Sequence, residues 1–130
     1  MVESLIAVFL TIIAIVALMP MQDMSLRTAA KSDYYGRAVG ILQTELERQQ
    51  AFIMTPSNSV AIGETTNTVK VSDQSGVAGD MGFTVTTKIT NNPSAPAANM
   101  SWIINVHVTW PRNSKGIRSS IIATRQSGFE

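Results

Sequence analysis

The chain has no cysteine, so neither a disulfide framework nor a thiolate metal site is available to it. Its one histidine, His107, stands without a second histidine or a cysteine as co-ligand, so no metal site is expected. Charge of either sign is scarce, at 15% of residues. Ten basic against nine acidic side chains leave a net charge of +1, too small a field to gather nucleic acid or acidic ligands over the whole molecule. Phosphate-cradling glycine loops and Gly-x-Ser-x-Gly elbows are missing, so no nucleophile or nucleotide-transfer chemistry has its usual support, and the chain reads as a non-enzyme without cofactor. At 130 residues there is room for one small domain and an appendage.

What the chain has in excess is one apolar run. From Ser4 to Gln22 nineteen residues pass without a charge, and Glu3 is the only charged residue in the first 22. As a helix this run measures roughly 28 Å, close to the thickness of a bilayer core. It lacks a basic n-region before it and a small-residue cleavage site after it, so it is predicted to remain as an anchor. Arg27 and Lys31 follow the span and would hold the C-terminal part in the cytoplasm by the positive-inside rule; a basic leader removed from the N-terminus would resolve that conflict. Within the run, Glu3 must face water, headgroups or a cationic partner, and Pro20 is expected to kink or open the helix near Val16 to Met19.

The run MVESLIAVFLTIIAIVALMP, with Glu3 and Pro20 seventeen apart, resembles the mature N-terminus of type IV pilins and type II secretion pseudopilins. VESLIAVFL is similar to the minor-pilin and pseudopilin branches, as is HVTWPR at 107–112. The resemblance implies a pilin-like lollipop, processing by a prepilin peptidase, methylation of the new terminal amine, and pairing of Glu3 with that amine on a neighbouring subunit. It implies residence in the bacterial inner membrane before assembly, then in an extracellular pilus or a periplasmic pseudopilus, as a homo-oligomeric helical filament or together with other pilins. Glu3 stands two positions earlier than in the family pattern, so Met1 does not match the methylated terminus.

Helical periodicity continues past Asp23, with Tyr35, Ala38, Val39, Leu42, Leu46 and Ile53 on an apolar face. Arg37, Gln43, Glu45, Glu47, Arg48 and Gln50 fall on the opposite side, and Thr55-Pro56 stops the helix. Gly36 and Gly40 form a small-xxx-small pair available for close helix packing. Three segments follow, then: residues 1–22 as the membrane or filament-core half of the helix, 23–54 as its amphipathic half, and 55–130 as a β-sheet domain.

In that last segment, residues 57–82 are loop-rich with one short strand at Thr68 to Ser72. Phe83 to Thr90 and Trp102 to Trp110 alternate with period two, and Ile117 to Thr124 supplies a last strand. Asn91 to Ala98 and Pro111 to Gly116 are the connections. The predicted class is α+β, a long N-terminal helix packed against a small antiparallel sheet of three or four strands, because the sheet needs cover and the helix stripe is the one apolar surface left to give it.

Trp110, Arg112, Lys115, Arg118 and Arg125 make a basic, aromatic cluster of the kind that contacts surfaces or nucleic-acid phosphates; a solvated, charge-guarded sheet edge is the competing reading. His107 is placed opposite the tryptophans, exposed. DQSGVAGD at 73–80 lacks calcium-loop spacing and reads as a turn, and the sequon at Asn99-Met100-Ser101 carries little weight in a bacterial protein. Three functions compete: a filament subunit, a minor pilin or pseudopilin priming assembly or secretion, and a monomeric membrane-anchored binding module.

Overall fold

The computed structural model describes residues 2–70, 81–94 and 100–125. The chain is α+β, with one helix followed by a four-stranded antiparallel sheet. It divides into two compact units, Met1–Gly36 and Arg37–Glu130, and helix α1 (Val2–Met54) passes through both.

In the first unit α1 is helical throughout. Pro20 lies inside it and the helix continues on both sides, so the proline does not end the helix, although it has no N–H to give the Val16 carbonyl. Tyr35, assigned to the apolar stripe, is exposed here.

The second unit holds the whole described core. From α1 it takes Ala38, Leu42, Leu46 and Ile53; from the sheet it takes Phe83, Val85, Trp102, Ile104, Val106, Val108, Trp110 and Ala123. The four helical residues are four, four and seven positions apart, one and two helical turns, which keeps their side chains on one face. Val39 is exposed, and Glu45, assigned to the solvent side, turns half-buried toward the sheet instead. It tolerates that position because Gln49 and Arg48 donate to its Oε1 at 2.7 and 3.1 Å and the Thr87 hydroxyl donates to it at 3.2 Å.

The sheet is a meander in the order β1 (Gly63–Lys70), β2 (Gly82–Asn91), β3 (Met100–Trp110), β4 (Asn113–Arg125). Phe83, Val85 and Thr87 of β2 and alternate residues of β3 point to the helix, as period two requires. β1 begins five residues before the strand expected at Thr68, and all eight of its residues are exposed. It carries no apolar alternation; its three threonines and a valine favour extended backbone, and pairing with β2 from Gly63↔Ile89 to Lys70↔Gly82 holds it. Ser72 and the 73–80 turn lie outside the described residues, as does Asn99 of the sequon.

β4 starts four residues before Ile117, because the connection after β3 is only Pro111-Arg112. Proline as the first central residue followed by positive φ at Arg112 (73°) is the pattern of a type II turn. The register then shifts between Val108 and Trp110, and Gly116 takes φ 54°. A Cβ there would stand 2.1 Å from the Val108 carbonyl oxygen, so this site requires glycine.

Helix α1 ends where expected. Pro56 disfavours helical backbone at Thr55, whose amide and hydroxyl both donate to the Ala51 carbonyl. The carbonyls beyond are collected by Arg125 of β4: its Nε donates to Ile53 O at 2.8 Å and its Nη2 to Thr55 O at 2.9 Å and Asn58 O at 3.0 Å. A cation at a helix C-terminus meets the negative end of the helix dipole. The same guanidinium lies 5.5 Å from the Trp102 ring centroid, within cation–π range.

Candidate assembly surface and basic sheet face

The first candidate surface is the N-terminal half of α1. Fifteen large apolar side chains from Val2 to Leu26 are each between 50% and 73% exposed. This stretch is long and apolar enough to cross a membrane, and none of its most apolar window is buried. The Thr11 hydroxyl, the one polar donor in the middle of the run, donates to the Ala7 carbonyl at 2.8 Å and so needs no outside partner. The run ends at the exposed pair Asp23–Arg27, 3.0 Å apart one helical turn on. Glu3 sits exposed in the first helical turn, where a carboxylate meets the positive end of the helix dipole.

Gly36 and Gly40 both face open space: a Cβ added at either would meet nothing within 4 Å. Neither glycine is demanded by the contacts of the described chain, which leaves both positions open to a neighbouring backbone.

The second candidate surface corrects the basic cluster. Trp110 is 7% exposed and belongs to the core, tilted against Phe83 with ring centroids 6.0 Å apart. Arg125 is committed to the end of α1. Alternation along β3 and β4 separates these two from the others, so the expected five-residue cluster does not form. Arg112, Lys115 and Arg118 remain exposed.

Arg118 instead joins a different group. Register places Thr66, Thr86, His107 and Arg118 in one row across the sheet, and Glu64, Lys88, Asn105 and Ser120 in the next, on the face turned away from α1. His107 lies opposite the tryptophans as expected but is half-buried, with Nε2 3.0 Å from the Lys115 carbonyl. Between Asp80 and Glu130 the sequence contains no acid, while Lys88, Arg112, Lys115, Arg118 and Arg125 fall there, five of the ten cations. A near-neutral chain therefore carries a local positive field over β2 to β4. Lys88 was not singled out in the sequence because its membership depends on register across strands far apart in the chain.

Both tryptophans and Phe83 are buried, so this face offers charge and hydroxyls but no exposed tryptophan on which bases could stack. Among the described residues no three His, Asp or Glu side chains gather as metal ligands. No family model matches this chain, and no curated protein or solved structure is significantly similar to it.

Proposed function

We propose that this chain is a subunit of a type IV pilin-like filament, anchored in a membrane by the first half of α1 before that same surface packs against copies of itself. The observation that carries the reading is the row of fifteen exposed apolar side chains from Val2 to Leu26, with one acid at its start. So much apolar surface is unstable in water; lipid covers it at one stage and neighbouring helices cover it at the next. Glu3 then sets the register, because a slipped packing leaves a carboxylate unpaired in apolar surroundings. Gly36 and Gly40 allow close approach in such an array. The resemblance of the first twenty residues to type IV pilins and pseudopilins supports the same reading and covers both a bulk subunit and a minor one that primes assembly or secretion.

The test is Glu3→Ala in cells that make the full chain. The variant is expected to stay in the membrane fraction and to be lost from sheared fibres; wild-type amounts in the fibres would refute the reading.

A second reading, a membrane-anchored binding module, is favoured by the positive field over β2 to β4. In that case the partner is a polyanion, nucleic acid included, held through Lys88, Arg112, Lys115 and Arg118 in a salt-dependent way. Replacing residues 4–22 with an unrelated apolar helix separates the two readings: a binding module keeps its affinity, whereas a filament subunit loses assembly.

A further inference from the structure

β1 is first in the sheet order, so among the described residues one of its sides has no strand beside it, and all eight of its residues are exposed. Natural sheets blunt such edges with proline, bulges, very short strands or charged side chains, lysine above all. β1 has no proline, and its pairing with β2 runs without a register shift. Its two charges are of opposite sign, Glu64 and Lys70, each three residues from Asn67. Among the described residues neither forms an ion pair, although Glu64 lies directly across from Lys88.

We propose that this edge pairs with the β1 edge of a second copy of the chain, antiparallel and centred on Asn67, to give a continuous eight-stranded sheet. In that register Glu64 stands opposite Lys70 of the second copy and Lys70 opposite its Glu64. Thr66 meets Thr68 and Thr65 meets Val69, each of them twice. Residues directly opposite share a face and interact most strongly, with opposite charges and Thr–Thr pairs both favourable. Sliding by two residues in either direction, the smallest step that keeps the faces matched, separates both charge pairs. Of the face-matched registers only this one keeps both charge pairs, and like any antiparallel pairing of a strand with its own copy it is two-fold symmetric.

The helix side of β1 fits the same partner. Phe52, Ile62 and Val69 stay 44%, 58% and 37% exposed beside it. A groove lined by Glu45, Arg48, Phe52, Ile62, Thr65 and Asn67 runs there. Pairing through β1 brings two copies of this groove against one another across the junction. The two-fold axis is normal to the sheet, so the Arg37–Met54 segments of the two copies run in opposite directions. The junction thus joins copies from opposed assemblies rather than neighbours within one polar array.

The experiment uses residues 37–130, which contain every buried side chain of the described core, so its outcome does not depend on Glu3, on the apolar run or on the filament reading. Sedimentation at low salt is expected to give a dimer that weakens as salt rises. Glu64→Lys alone and Lys70→Glu alone each create two like-charge pairs, and each is expected to weaken the dimer roughly tenfold or more. Mixing the two variants restores both opposite-charge pairs and is expected to restore association as a heterodimer, as is the double swap within one chain. Loss of folding does not produce that rescue. A wild-type fragment that stays monomeric, an open-ended series of oligomers, or a dimer indifferent to the swaps would each overturn the proposal.

Discussion

The two halves of α1 share one backbone geometry and meet opposite fates. From Val2 to Leu26 every large apolar side chain is at least half exposed; from Ala38 to Ile53 four are buried under a sheet. Helical periodicity is present in the second half because only one side has a protein partner. In the first half apolar residues occur all round the helix, so no polar face sets off a stripe, and the run is long and apolar enough to cross a membrane. The described core lies entirely within the second unit, from which the stability of that unit is expected not to depend on the first.

The largest effect is expected at Ile104, which is fully buried. Ile104→Ala should cost about 2–5 kcal/mol in denaturant unfolding of residues 37–130. Ile12→Ala in detergent-solubilised full chain should leave the sheet's unfolding transition where it is, and an equal shift from both would abolish the distinction. Next is Gly116→Ala, which forces a Cβ against the Val108 carbonyl in a positive-φ residue. It should destabilise by about 2–4 kcal/mol without altering detergent requirement. Arg125→Ala removes the hydrogen bonds that hold Ile53, Thr55 and Asn58 and the contact with Trp102, and should cost about 2 kcal/mol. Arg125→Lys should recover only part, since one ammonium cannot span the carbonyls a guanidinium reaches. The smallest is a gain: Arg112→Gly relieves a left-handed backbone and should stabilise by roughly 0.5–1 kcal/mol, read as a raised midpoint of thermal unfolding.

Legibility in the sequence followed the same division. The extent of α1, its stop at Thr55-Pro56, and the strands around Phe83 to Thr90 and Trp102 to Trp110 were readable because period-two or helical patterns over many residues report burial directly. The start of β1, five residues before Thr68, was not legible because an edge strand of threonines and asparagine buries nothing and so prints no alternation. Glu45 was assigned to water because its residue type usually goes there, and only the Thr87 hydroxyl and the two neighbouring donors explain its position. The basic cluster failed for a related reason. Residues close in sequence around a tight hairpin separate onto two faces, so Trp110 and Arg125 went to the core side while Arg118 joined His107 and Lys88. Arg125 as a cap for a helix ending about 70 positions earlier has no local signature at all.

The central claim is that the exposed half of α1 needs an apolar partner and the remainder does not. Sedimentation of the purified full chain beside residues 37–130, with and without detergent, tests it most directly. The account predicts that the fragment stays in solution in plain buffer, while the full chain does so only in detergent and otherwise pellets or assembles. A full chain that is monomeric and monodisperse in plain buffer would contradict it.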